Sequence, residues 1–177
     1  MRMRSRQRIS DVNTGSTVKN KDMFGYLLGL AVFVILIPLF MWRISGTVSP
    51  GGARILCFAV LAAAGIGLSI WSIVYMRIVG KGNPMDAFNH EIAPHTSVLM
   101  TEGPYRLCRN PMLLGIFIYY TGLLICLCSR KALAVFAVFS VIMMIQVRSE
   151  EKRLERDFGD AYLEYKAATK RLIPFVW

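Results

Sequence analysis

Four stretches of this chain carry no charged residue at all: 23–42, 55–76, 111–129 and 132–147, which are 20, 22, 19 and 16 residues long. A helix rises about 1.5 Å per residue and a bilayer's hydrocarbon core is about 30 Å thick, so roughly 20 such residues cross it. The first three runs qualify alone and the fourth is short. Arg130 and Lys131 separate the last two runs. They leave room only for a tight helical hairpin, with both long side chains snorkelling outward to lengthen the fourth helix, which then continues past Val147 into charged sequence. The fold class predicted is all-α: a polytopic membrane protein with four transmembrane helices, the last two a hairpin, and a cytosolic C-terminal amphipathic helical segment.

Composition closes the alternatives. The chain is 55% hydrophobic and 18% charged, against about 45–50% and 25% for a soluble domain, and 177 residues enclose too little interior for that excess. The same numbers exclude a disordered chain. Four cysteines, with Cys57, Cys126 and Cys128 inside apolar runs, argue against a disulfide-stapled module, and Cys126 and Cys128 read as packing residues. A 20-residue first run exceeds the 7–15 apolar residues of a cleaved leader.

The net charge of +10 is unevenly placed. Six Lys and Arg precede residue 22, four lie between Arg77 and Arg109 and seven follow from Arg148, whereas the opposite side holds only Arg43, Arg54, Arg130 and Lys131. By the positive-inside rule both termini and the central loop are cytosolic, and the basic charge serves anionic membrane lipids, with no nucleic acid partner. This divides the chain into a basic tail (1–22), a first helical pair (23–79) and a core comprising loop, hairpin and C-terminal segment (80–177). Inside the runs, Gly25 with Gly29 and Ala63 with Gly67 have small-xxx-small spacing, and Pro38 is placed to kink the first helix. The absence of ionisable groups at membrane depth argues against a proton-coupled transporter. The chemistry is therefore expected at the cytosolic surface.

Two segments carry polar groups there. Asn110 followed by Pro111 predicts a helix start, with Asn as N-cap and the positive end of the helix facing whatever binds. From Arg148, the sequence RSEEKRLERDFGDAYLEYK places Leu154, Phe158, Tyr162 and Tyr165 on one helical stripe, with Gly159 as a possible break. Topology brings Glu150 and Glu151 to the same surface as Arg109 and Asn110, where they could wall a site half in lipid and half in water. The competing reading is a solvated helix with pairs such as Glu150 with Arg153. His90 and His95 are five apart with no Cys or Asp completing a set, so no metal is expected.

The run TEGPYRLCRNPMLLG, followed across a helical hairpin by RSEEKRLERDFGDAYLEYK and then LIPF, resembles the isoprenylcysteine carboxyl methyltransferase and phospholipid methyltransferase families over residues 80–177. Their pattern is roughly G-P-Y-R-x-x-R-[HN]-P-x-Y-x-G, then E-E-x-x-L, then F-G-x-x-Y-x-x-Y. The resemblance implies an integral membrane enzyme using S-adenosylmethionine, with Leu99, Met100, Tyr105, Asn110, Pro111 and Glu150 lining the cofactor pocket. Apolar spans with a polar cluster at their cytosolic edge predict a lipidic or amphipathic acceptor methylated on a carboxylate, amine or thiol, with Arg148 pairing an acceptor carboxylate or Glu151 taking the proton of an acceptor amine. Asn110 in place of His is a variant familiar in the family's bacterial branch and is compatible with a cofactor site; the expected location is a bacterial inner membrane. Leu113 replaces a common Tyr, and Gln146 stands where isoprenylcysteine enzymes carry an Arg. An NADPH-dependent, sterol-reductase-like enzyme has related motifs, but it would carry an acid where Ile116 follows Gly115. A noncatalytic membrane subunit is the other alternative.

Overall fold

The computed structural model describes residues 29, 31–80 and 98–173. The basic tail, the start of the first run, His90 and His95 lie outside them. The described residues form helices and no strand. We number the helices α1 (Ala31–Ser45), α2 (Gly52–Ile78), α3 (Pro111–Leu127), α4 (Arg130–Phe158) and α5 (Asp160–Ala168), with a single 3-10 turn at Gly103–Arg106.

Helix α1 is π-helical over Ala31–Leu36 and α-helical over Ile37–Ser45. Pro38, just past the junction, has no N–H to give either the carbonyl four residues back, Val34, or the one five back, Phe33. Lipid offers no replacement donor, so side chains must supply one. The Tyr120 hydroxyl donates to the Phe33 carbonyl at 2.7 Å and the Tyr119 hydroxyl to the Val34 carbonyl at 3.2 Å. Both tyrosines are buried, Tyr120 against Phe139 of α4 and Tyr119 against Phe58 of α2, so the repair also ties α1 and α3 to their neighbours.

Helices α2 and α3 pack closely because small residues meet. A Cβ on Gly65 would collide with the Gly115 carbonyl and lie 2.8 Å from the Tyr119 nitrogen, and one on Gly115 would collide with the Ser69 hydroxyl and the Gly65 carbonyl. Ser69 donates to Met112 across the seam at 3.1 Å and to Gly65 at 3.0 Å. The spacing of Ala63 and Gly67 suggested a different face, but both are exposed and Gly67 has nothing within 4 Å of a Cβ. The seam runs through Gly65, Ser69 and Ser72, the buried residues of α2.

The hairpin between α3 and α4 is as tight as its sequence predicts. Cys128 takes a left-handed conformation (φ +48°), and Ser129 caps α4 by accepting from the Ala132 amide. Cys128 is thus an exposed turn residue rather than a packing one. It also stops α3 at 17 residues, about 25 Å, the short end of the spanning range. Helix α4 does run past Val147 and reaches Phe158, 29 residues in all. The richest 18-residue windows of α2 and α4 have mean hydropathies of 2.2 and 1.9, yet only 17% of each is buried. A soluble core helix would be mostly buried. Outward Leu56, Ile70, Val138 and Ile145 instead need lipid.

Candidate functional site

The site lies at the end of the bundle where α2 finishes, α3 begins and α4 emerges from its apolar run. Gly159, at φ +53° and ψ −128°, holds a backbone conformation only glycine adopts readily, and it turns the chain from α4 into α5. The predicted stripe is therefore divided between two helices. Leu154 and Phe158 of α4 and Tyr162 and Tyr165 of α5 close around Tyr105, with Tyr75, Met76, Leu99 and Met100 on the far side. The stripe faces protein. Gly103 (φ +59°) lets the 105–111 segment turn across α2, so close that a Cβ there would lie 2.6 Å from the Tyr75 ring.

Arg109 braces this end of the molecule. Its amide donates to the Lys170 carbonyl at 2.8 Å, and its guanidinium donates to the carbonyls of Lys166 (3.0 Å) and Thr169, which satisfies the C-terminal end of α5. The same guanidinium pairs with Glu151 through Nε (2.9 Å) and Nη2 (2.8 Å). Arg171 grips Glu151 from the other side, with Nη2 at 2.8 Å. Burial alone would raise the Glu151 pKa, but the hydrogen bonds and charges of Arg171 and Arg109 prevail and hold it below the ordinary carboxylate value. The hydrogen bonds that Arg171 donates to Glu151, opposed by burial, raise the pKa of Arg171. Residues 169–171 thereby become a strap across the 105–111 segment. Asn110 joins it through Nδ2, which donates to the Arg171 carbonyl at 3.0 Å, and Tyr165 donates to the Tyr105 carbonyl at 2.7 Å. Asn110 does occupy the N-cap position before Pro111, but its side chain is committed to the strap and does not cap the helix.

Beside the Arg109, Asn110 and Glu151 cluster is a cavity of about 160 Å³, more than ten times the space a single water needs. Leu99, Met100, Tyr105, Asn110, Pro111 and Glu150 all border it, as do Glu151, Leu113 and Gln146. Arg148 does not border it and is exposed. Gln146 and Glu150 lie on one face of α4, and Arg148, two residues from each, is about 200° round the helix from both. The structure thus separates the two residues expected to handle the acceptor: Arg148 faces away, and Glu151 is occupied by two guanidinium groups. Cys108 is buried beside the site, and burial pushes its thiol up to about 11, so it stays protonated. No group of three or more potential metal ligands occurs among the described residues.

Sequence reasoning passed over Arg109 as a brace, Arg171 as its counterpart, and Met76, Met143 and Tyr162 as cavity walls. The two motif tyrosines were a usable sign for Tyr162 and Tyr165. Nothing in the spacing of Arg171 pointed to Glu151.

Among the described residues, a helical bundle with apolar outer faces and a mostly apolar cavity at one end marks a membrane protein. The chain belongs to the phospholipid methyltransferase family, whose family model matches residues 53–161. It is 31% identical over 121 residues to the protein-S-isoprenylcysteine O-methyltransferase of Rattus norvegicus, a match covering 66% of this chain and 42% of that protein. To protein-S-isoprenylcysteine O-methyltransferase A of Arabidopsis thaliana it is 37% identical over 79 residues, covering 44% and 40%. The chain therefore spans about two fifths of the length of these relatives. No solved structure matches it.

Proposed function

We propose that this chain transfers a methyl group from S-adenosylmethionine to a carboxylate, amine or thiol of a lipidic or amphipathic acceptor at the cytosolic face of a membrane. The observation that carries the reading is that residues from three separate stretches, 99–100, 105–111 and 146–154, border one cavity where apolar helix surface meets a polar rim. S-adenosylmethionine supplies a methyl already activated on a sulfonium, so the protein's task is placement and exclusion of water. Leu99, Met100, Tyr105, Asn110, Pro111 and Glu150 would hold the cofactor. The cavity suits it chemically: Glu150 and Asn110 offer polar contacts, and Met76, Met100 and Tyr105 offer apolar walls. Met112, Leu113, Met143 and Val147 give an acceptor's apolar tail a wall continuous with the lipid-facing helices.

The wider arrangement belongs to the same reading. Four helices span the membrane, 1–22 is a cytosolic basic tail, 23–79 the first helical pair and 80–177 the catalytic core, with both ends cytosolic in a bacterial inner membrane. The distribution of Lys and Arg supports this orientation.

The test is calorimetric binding of S-adenosylhomocysteine to the detergent-purified full chain. Glu150→Ala should weaken binding about tenfold, the equivalent of one charge-assisted hydrogen bond. Glu155→Ala should leave it unchanged, because Glu155 pairs with Lys166 outside the cavity. Failure of the wild type to bind, or equal effects of the two changes, refutes the proposal.

A further inference from the structure

Arg54, Arg130 and Lys131 line one open concavity at the end of the bundle opposite the cavity, together with Thr47, Ser49 and Leu127. The charge there is unopposed. No Asp or Glu occurs between Asp22 and Asp86 or between Glu102 and Glu150, and none of the three cations forms an ion pair among the described residues. The positive-inside rule predicts few cations on this side, yet three of its four, from the start of α2 and the start of α4, meet on one surface. Like charges held together repel, and a shared anion offsets that cost.

We propose that this concavity binds the headgroup phosphate of an anionic phospholipid from the leaflet on that side. Depth and flank select a lipid over a soluble anion. Arg130 and Arg148 are both exposed and stand eighteen residues apart on α4, about five turns and about 27 Å, close to the thickness of a hydrocarbon core. They bracket one exposed stripe through Ala134, Val141 and Ile145, which places Arg130 at the level of headgroup phosphates. Ile55 and Leu56, next after Arg54, are 51% and 67% exposed and offer acyl chains a surface beside the cations. The two guanidinium forks suit phosphate oxygens, Lys131 adds a point charge, and Thr47 and Ser49 add hydroxyl donors. Three cations without an acid favour a headgroup of net negative charge over a zwitterion. The site stands apart from the methyl-transfer reading, since the concavity and the cavity share no lining residue.

Hydrogen exchange on the detergent-purified full chain tests this at the hairpin itself. The Arg130 and Lys131 amides open α4, where no intrahelical carbonyl reaches them, so they exchange quickly until something covers them. Dihexanoylphosphatidylglycerol should slow them about fivefold or more, whereas dihexanoylphosphatidylcholine and glycerol phosphate should change them less than about twofold. Combining Arg54→Gln, Arg130→Gln and Lys131→Gln should remove the response, and without lipid this variant should melt at or above the wild-type temperature, because the three charges have no ion pairs to lose. Equal slowing by phosphatidylcholine would show mere coverage by surfactant, and equal slowing by glycerol phosphate a soluble-anion site; either overturns the proposal. So does an absent response, a response that survives in the variant, or a lower melting temperature, which would make the cations part of the fold.

Discussion

Replacing Glu151 by Gln should loosen the strap and leave the membrane helices in place. The carboxylate receives four donor groups: Arg109 Nε and Nη2 at 2.9 and 2.8 Å, and Arg171 Nε and Nη2 at 3.1 and 2.8 Å. Gln keeps the shape and can accept from one arginine, but it neutralises neither. The Arg109 side chain is 9% exposed, so it would stay buried with its charge uncompensated. Removing one partner of a buried pair typically costs about 3–5 kcal/mol, a large share of the roughly 5–15 kcal/mol that holds a domain folded. The Arg171 side chain is 21% exposed and can turn to water, so Arg171→Gln should cost nearer 1 kcal/mol.

Denaturant unfolding in micelles measures the total, and hydrogen exchange localises it. The Arg109 amide, bonded to the Lys170 carbonyl, should lose protection in Glu151→Gln while amides of α2 keep theirs. The pH dependence gives a second readout. The Glu151 pKa is lowered on folding, so its contribution is complete above the ordinary value of 4.5 and is lost as pH falls below that value through the folded one. Wild type should lose stability relative to Glu151→Gln only in that acid window. A Glu151→Gln variant within about 1 kcal/mol of wild type at neutral pH would refute the bracing role.

Three further outcomes follow from the geometry. Gly115→Ala should destabilise the α2–α3 seam by about 2 kcal/mol or more, because its Cβ meets the backbone of Gly65, whereas Gly67→Ala should be neutral or slightly stabilising; unfolding in micelles compares the two. Tyr120→Phe should cost about 1 kcal/mol by stranding the Phe33 carbonyl that Pro38 leaves without a donor, and pairing it with Pro38→Ala should recover part of that loss. If the proposed orientation holds, an impermeant thiol reagent applied to intact cells should label exposed Cys128 and fail to label a cysteine placed at Glu102; the opposite pattern would refute that orientation.

How much the sequence revealed depended on what each residue's role required. The hairpin was legible because two adjacent cations between apolar runs leave the chain one compact course, and the extension of α4 was legible because 16 apolar residues are too few to span. The seam was not. Ala63/Gly67 and Gly65/Ser69 share the same four-residue spacing, so spacing cannot say which side of α2 meets α3. The role of Asn110 was half legible: its position before Pro111 predicts the helix start, but only the tertiary course of residues 169–171 diverts its amide to a distant carbonyl. Arg148 misled because nearness along a helix is not nearness in space. Two residues on from Gln146 is the opposite face.

Arg148 stands outside the cavity, and Glu151, which borders it, is held by two guanidinium groups, which bears on what the proposed site can recognise. Arg109, whose side chain borders it, is already divided between Glu151 and two carbonyls that end α5, and Arg153 at the rim has interactions of its own. In the proposed reaction an acceptor would meet Gln146, Asn110, Glu150 and the arginine-bound Glu151 beside walls made mostly of methionine, leucine and tyrosine. These groups orient a neutral or cationic headgroup better than an anionic one, because a carboxylate would lie near Glu150 with the nearest guanidinium already engaged. Within the proposed methyl transfer, an amine or thiol acceptor thus fits this wall better than a carboxylate. Competition assays with lipids of matched tails and differing headgroups would show it as a lower KM for the neutral or cationic head. A carboxylate acceptor preferred by tenfold would mean that Arg109 leaves Glu151 during turnover, and the strap would have to open for it.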